Sequence, residues 1–85
     1  MEKDDIIAKV NTIIIEKLDL AETQITMNAS FVKDLGIDSL DLFELILEVE
    51  NEFQLVIPGE EAEKIVTVGN LVDHIRNQKS ADNSQ

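Results

Sequence analysis

The sequence predicts an all-α fold: a four-helix bundle with three main helices, one short third helix and a long loop between helices I and II. Apolar residues recur at helical spacing in three segments, and no repeat, heptad array or low-complexity stretch appears. The 85 residues are enough for one small domain, near the size at which a single core is only marginally sufficient. We expect this domain to cover residues 1–78 and a polar, disordered tail to follow over 79–85.

The first helix is predicted over residues 4–18. Its stripe at helical spacing consists of Ile6, Val10, Ile13, Ile14 and either Lys17 or Leu18, and Ile7 widens it. The isoleucines at 13–15 would also suit a strand, but the polar residues around them break any alternation, so a helix is favoured. The connection over 19–37 is long for so small a domain and must be held in place or carry function. We expect Ile25, Phe31 and Leu35 to anchor it under the bundle.

The second helix is predicted over residues 39–53, and its beginning is the most informative part of the chain. Gly36 can adopt positive φ and suits a sharp turn, and Asp38 is a favourable N-cap residue. Ser39 then falls at the first helical position. A phosphate on its hydroxyl would gain from the unpaired N–H groups and from the helix dipole. We therefore predict that Ser39 is an attachment point.

The two faces of the second helix differ in their expected surroundings. The predicted core face holds Leu42, Leu45, Ile46, Val49 and Phe53. The opposite face carries an apolar stripe of Leu40, Phe43 and Leu47, flanked by Asp41, Glu44, Glu48 and Glu52. An exposed apolar stripe rimmed by carboxylates is typical of a protein-docking surface. The alternative is a helix buried nearly all round, with Phe43 covered by the long loop.

The rest of the chain predicts two further helices. Pro58 and Gly59 end the preceding segment, and residues 60–63 suit one or two helical turns with acidic residues near the N-terminus. Thr67 is a favourable N-cap for a last helix, which would direct inward Val68, Leu71, Val72 and Ile75.

Charge and composition exclude several classes of function. The net charge of −11 argues against nucleic acid and anionic membranes as partners. No basic residue lies between Lys33 and Lys64, although ten of the eighteen acidic residues do. The absence of cysteine excludes disulfides and thiolate metal sites, and no run of residues is apolar enough to cross a bilayer. We expect a cytoplasmic protein with no dedicated metal site.

Catalysis by the protein's own side chains is not expected. His74 is the only histidine, and a Ser-His-Asp arrangement would require it to reach Ser39 with a third group orienting it. A serine without local machinery fits modification by another enzyme.

Several segments together resemble a known family. They are NASFVKDLGIDSLD at 28–41, Glu44-Leu45, ENEF at 50–53, Ile57-Pro58 and EAEKIVTV at 61–68. In this order and spacing the chain resembles bacterial acyl carrier protein of the dissociated fatty acid synthesis system, in register over roughly residues 4–78.

The resemblance implies a monomeric carrier and not an enzyme. It implies that a phosphopantetheinyl transferase attaches 4′-phosphopantetheine from coenzyme A to Ser39, between Asp38 and Leu40. Acyl groups would be carried as thioesters on that arm and sheltered between the helices. The candidate lining residues are Leu45, Ile46, Phe53, Ile65, Leu71 and Ile75.

The resemblance also implies partners, namely fatty acid synthesis enzymes and acyltransferases with basic docking patches. Candidate docking residues are Asp38, Leu40, Asp41, Phe43, Glu44, Leu47, Glu48, Glu50, Glu60 and Glu63. Leu42 and Phe43 are bulkier than is usual in the family, Asn51 interrupts an acidic run, and Gly59 stands where an acid is common. A specialised carrier, for polyketide or lipid-modification chemistry, therefore stays open. So do an aminoacyl or peptidyl carrier and an unmodified acidic interaction module.

Overall fold

The computed structural model describes residues 3–83, which contain four α-helices and no strand. The helices are α1 (Lys3–Leu18), α2 (Ser39–Phe53), α3 (Gly59–Ala62) and α4 (Val68–Asn83), with a short 3₁₀ turn at Glu22–Gln24 between α1 and α2. The predicted fold class is confirmed, including the long connection between the first two helices.

The ends of the helices follow from local chemistry. Asp4 and Asp5 lie in the first turn of α1, and Lys17 lies in its last turn. Negative charge near the N-terminus and positive charge near the C-terminus both interact favourably with the helix dipole. A residue with left-handed backbone follows each of the first two helices: Asp19 (φ 55°) after α1 and Gln54 (φ 56°) after α2. The N–H of Asp19 donates to the carbonyl of Ile15, as in a left-handed C-terminal cap.

The core is built mainly from α1, α2 and α4. Its fully buried members are Ile6, Val10 and Ile14 from α1, Leu45 and Val49 from α2, Val68, Leu71, Val72 and Ile75 from α4, and Phe31 from the loop. The burial of each such side chain contributes about 1.5–3 kcal/mol to the stability of the fold. The inward residues predicted for α4 are all confirmed, whereas Leu42, predicted for the core face of α2, is only half-buried.

The long loop is held to Val66 and to the first two residues of α4 by a short set of backbone hydrogen bonds. Phe31 N–H donates to Val66 O (3.0 Å), Val68 N–H to Ala29 O (3.0 Å) and Gly69 N–H to Met27 O (2.9 Å). We call these three bonds the loop clasp. The side chains of Ile25, Phe31 and Leu35 are buried in the core, as predicted for the anchors of this loop.

Two boundaries differ from those expected. The short helix runs over Gly59–Ala62 and not 60–63, because Pro58 serves as its N-cap residue. The last helix continues to Asn83, so the expected irregular tail is helical over 79–83. Residues 84–85 lie outside the described residues, and the boundary of the domain at 78 stays a prediction.

Candidate attachment site and docking surface

The segment leading into α2 is shaped by Gly36 and Asp38. Gly36 adopts φ +69°, a conformation that favours glycine. Ile37 is buried, and its N–H donates to Phe31 O at 3.1 Å. Asp38 is extended (φ −92°, ψ 178°), and its Oδ1 accepts a hydrogen bond from the Asp41 N–H at 2.9 Å. The predicted N-cap is confirmed.

Ser39 is the first residue of α2, and it is exposed. Its own N–H and that of Leu40 belong to the first helical turn, where backbone donors have no intrahelical acceptor. Neither N–H has an acceptor within residues 3–83. An anion on the Ser39 hydroxyl would therefore meet unpaired donors and the positive end of the helix dipole. The predicted position is confirmed, and the attachment role stays a prediction.

Ser30 and Asp34 stabilise the turn before this segment. The Ser30 N–H donates to Asp34 Oδ2 at 2.7 Å, and the Lys33 N–H donates to Ser30 Oγ at 3.1 Å. The N–H groups of Asp34 and Leu35 both donate to Ser30 O. Sequence reasoning missed this role, although a serine four residues before an aspartate in a loop is a pattern that favours such local bonds.

The apolar stripe on α2 is solvent-exposed. The exposed fractions are 63% for Leu40, 58% for Phe43 and 47% for Leu47, and the core-facing Leu45, Ile46, Val49 and Phe53 are buried. The alternative of a helix buried nearly all round is therefore wrong. Three large apolar side chains along one exposed face suit a surface that another molecule covers.

The acidic residues around the stripe differ in how they are engaged. Glu44 pairs with Lys17 (3.9 Å) and Glu52 with Lys9 (3.7 Å). Glu50 Oε2 accepts a hydrogen bond of 2.6 Å from the Ile57 N–H, so this carboxylate supports the loop after α2. That internal role was not predicted. Whether Glu50 also docks partners stays a prediction.

The remaining candidate docking acids have exposed carboxylates. They are Asp38, Asp41, Glu48, Glu60 and Glu63. Asp38 Oδ1 is occupied by its capping bond, and the other four make no ion pair with any residue described. These four are available to basic groups outside the chain.

The six predicted lining residues are all buried in the shared core. Leu45, Leu71 and Ile75 are fully enclosed, and Ile46, Phe53 and Ile65 nearly so. A cavity of about 450 Å³ lies elsewhere, between α1 and α2. Sheltering an acyl chain among the six residues would require them to separate, and that role stays a prediction.

His74 is engaged away from Ser39. Its Nδ1 lies 4.0 Å from Glu61 Oε1, and its Nε2 lies 2.9 Å from Gln78 Nε2. Gln78 in turn donates to Val56 O at 2.8 Å. These contacts join α3, α4 and the loop between α2 and α3, which is a structural role for the histidine.

No group of three or more His, Cys, Asp or Glu side chains in the described part of the chain could hold a metal ion. Within the same residues, no helix combines the length and apolar character that crossing a membrane requires.

Residues 8–75 match the model of a protein family that is described as the phosphopantetheine attachment site. The chain belongs to this family. Members attach a 4′-phosphopantetheine prosthetic group, and such domains act as carriers that are not themselves catalytic. The protein is therefore a phosphopantetheine-bearing carrier, which interacts with a phosphopantetheinyl transferase and with further enzymes.

Proposed function

We propose that this protein carries acyl intermediates for fatty acid synthesis on a 4′-phosphopantetheine arm attached to Ser39. The observation that carries the proposal is the position of Ser39. It is exposed at the start of α2, beside unpaired backbone donors and at one end of the apolar stripe. An enzyme that recognises the stripe is thereby brought close to the attached arm.

The residues around Ser39 fit the group. The Ser39 hydroxyl would form the ester bond to phosphorus while the pyrophosphate bond of coenzyme A breaks. Adenosine 3′,5′-bisphosphate is the leaving group, and its released phosphate takes up the hydroxyl proton. The N–H groups of Ser39 and Leu40 suit the charged diester, and Asp38 fixes the helix start through its bond to Asp41. When bound, the group supplies the thiol that this cysteine-free chain lacks.

The surface of α2 supports protein partners with basic patches. Asp41 and Glu48 flank the stripe, and neither is neutralised by a residue within 3–83. Complementary charge mainly raises the rate of encounter, and salt weakens it. We assign the docking surface to Leu40, Phe43 and Leu47 with these acids, joined by Glu44, Glu60 and Glu63.

A specialised acyl or polyketide carrier is the second candidate. The observation that favours it is Phe43, a large aromatic side chain that is 58% exposed in the middle of the stripe. Aromatic residues are enriched in the centres of protein interfaces, so this side chain would select among partner enzymes.

Intact mass tests the proposal. The protein is incubated with coenzyme A, Mg²⁺ and a broad-specificity phosphopantetheinyl transferase, and we expect the mass of one phosphopantetheine to be added. Ser39→Ala is expected to gain nothing, and Ser80→Ala, which removes another serine hydroxyl, to gain the same mass as wild type. No addition to folded wild-type protein, or addition to Ser39→Ala, would overturn the assignment.

The cargo is tested on the modified protein. It is offered an acyltransferase of fatty acid synthesis with its acyl-coenzyme A, and separately an amino-acid-activating enzyme with its amino acid and ATP. We expect the acyl mass to appear in the first reaction alone. Loading only in the second would assign an aminoacyl or peptidyl carrier.

A further inference from the structure

A chain of three hydrogen-bonding groups joins α4 to the loop between α2 and α3. The side-chain amide of Gln78 lies at its centre. Gln78 Nε2 donates to Val56 O at 2.8 Å and lies 2.9 Å from His74 Nε2. His74 and Gln78 are four residues apart on α4, on one helix face, and both are partly buried. We call these three groups the α4 latch.

The hydrogens of the latch define the form of His74 that completes it. A carbonyl oxygen can only accept, so Gln78 must present its nitrogen and not its oxygen to Val56 O. That nitrogen carries two hydrogens and accepts none, so it bonds to the imidazole only by donating its second hydrogen. His74 Nε2 must then be the unprotonated nitrogen, and the single ring proton lies on Nδ1. The latch is therefore complete only with a neutral histidine.

The charged group that faces the ring belongs to α3. His74 Nδ1 lies 4.0 Å from Glu61 Oε1, and the other oxygen of that carboxylate lies 3.5 Å from Lys64 Nζ. The loop over 54–58 contains no ionisable side chain, and neither do the positions three and four residues away from His74 on α4. Asp73, adjacent in the sequence, is exposed. Glu61 is therefore the carboxylate that is placed to attract a protonated ring.

Protonation of His74 breaks the latch. Nε2 then carries a hydrogen and no longer accepts, so it and the Gln78 nitrogen face each other as two donors. Rotation of the Gln78 amide by half a turn offers the ring an oxygen, and a hydrogen bond from a charged donor is roughly twice as strong as a neutral one. The same rotation turns that oxygen towards Val56 O, so the bond to the loop is lost. Val56 is exposed, and water can replace Gln78 at its carbonyl.

We infer that the α4 latch is a pH-sensitive switch, closed while His74 is neutral and opened when its Nε2 takes up a proton. Histidine is the side chain that ordinarily changes charge between about pH 5 and 8. The closed latch holds the loop between α2 and α3 on α4. The open latch releases this loop, while Glu61 attracts the charged ring and keeps α3 on α4.

The released loop leads directly into α3, which carries Glu60, one of the residues assigned to the docking surface. The loop is therefore expected to hold this end of the docking surface less firmly as the pH falls. This consequence rests on the proposed function, whereas the latch itself does not.

The test is an NMR titration of the full-length unmodified protein from about pH 8 to about pH 5.5, which spans the ordinary range of histidine and stays above that of carboxylates. His74 is the only histidine, so its ring nitrogens are observed without overlap. At the upper end of the range we expect the ring proton on Nδ1. As the pH falls, the carbonyl carbon of Val56 and the side-chain amide of Gln78 are expected to shift with the same midpoint as the ring.

Two variants separate the latch from other titrating groups. His74→Gln has no ring to protonate, and the shift of the Val56 carbonyl carbon is expected to stay constant over the same range. Gln78→Met keeps the length of the side chain without its hydrogen bonds, so the ring should still titrate while the Val56 carbonyl carbon no longer follows it. The matched control Asn77→Ala removes the adjacent exposed amide of α4 and is expected to behave as wild type does.

Three outcomes would overturn the inference. The first is a neutral ring that carries its proton on Nε2. The second is a Val56 carbonyl carbon that does not follow the titration of the ring in the wild-type protein. The third is a pH-dependent shift at Val56 that persists in His74→Gln or Gln78→Met, which would assign it to another group. The first two outcomes are read on the wild-type protein, so they decide the question even where a variant does not fold.

The test is separable from that of the proposed function. Ser39→Ala is not expected to be modified but should show the same coupled titration, because Ser39 takes part in none of the latch contacts. Failure of modification with an intact coupled titration would remove the proposed function alone. Successful modification without a coupled titration would remove the latch alone.

Discussion

Glu50 offers a sharp test of how the loop after α2 is held. Its Oε2 accepts a 2.6 Å hydrogen bond from the N–H of Ile57, a buried residue. Glu50→Ala removes the acceptor and leaves this donor without a partner in the chain. A hydrogen bond to a charged group contributes about 1.5–3 kcal/mol. Because Glu50 is only half-buried, water replaces part of the loss, and we expect a loss of about 1–2 kcal/mol.

This magnitude is large for a protein of this size. At about 0.05–0.15 kcal/mol per residue, the total free energy of unfolding is about 4–13 kcal/mol. A loss of 1 kcal/mol lowers the melting temperature of such a domain by about 4–8 °C. The melting temperature of Glu50→Ala should therefore fall by about 5–15 °C. Glu50→Gln retains a carbonyl acceptor and should lose less than half as much.

The control is Glu48→Ala, two positions earlier on the same helix. It also removes one negative charge and replaces glutamate by alanine, so the intrinsic helix propensity and the net charge change equally in both variants. Glu48 is exposed and unpaired within the described residues, so its loss should change stability by less than about 0.5 kcal/mol. Urea unfolding followed by circular dichroism measures the difference, with the denaturant slope expected to stay constant. Equal changes in the two variants would refute the structural role of Glu50.

Three further predictions follow from the packing and the charge. Leu45→Ala should lower the free energy of unfolding by about 2–5 kcal/mol, because Leu45 is fully buried. Leu40→Ala should lower it by less than about 1 kcal/mol and should mainly slow acyl transfer by partner enzymes. Similar losses in the two variants would contradict an exposed docking stripe. Gly69→Ala should lower stability by about 1–2 kcal/mol, because an added Cβ would lie 2.9 Å from Met27 O and strain the loop clasp. Gly59→Ala, with no atom within 4 Å of the added carbon, is its control and should be neutral; equal effects in calorimetry would count against the clasp. Millimolar Mg²⁺ or Ca²⁺ should raise the melting temperature, because the net charge of −11 includes repelling carboxylates along α2; an unmoved transition would contradict this.

The parts of the structure that were predicted correctly depend on local signals. Gly36, Asp38 and the spacing of the apolar residues correctly predicted the start of α2 and its buried face except for Leu42, because N-capping and helical periodicity act within a few residues. The exposed stripe followed from the same periodicity. Thr67 likewise caps α4, with its Oγ1 accepting from the Asn70 N–H at 3.1 Å.

The missed features depend on contacts between distant segments. Glu50 was placed only on the docking surface, because its bond to Ile57 arises when the chain reverses after Gln54. The structure also shows the ion pairs Lys9–Glu52 and Lys17–Glu44 and a cavity between α1 and α2. These features depend on how the two helices are placed relative to each other, and a helical wheel of one helix gives no information on that placement. The extension of α4 to Asn83 was missed because its last residues are polar and carry no apolar periodicity.

The loop clasp has a consequence for how this protein folds. Its three hydrogen bonds join residues that are far apart in the sequence, whereas the bonds within each helix are local. Closing so large a loop costs chain entropy, and contacts of this range slow folding relative to purely local ones. The helices can therefore form before the clasp. The segment that presents Ser39 acquires its fixed shape only when the two distant halves of the chain have met, so an incompletely folded chain does not display the serine in its final setting.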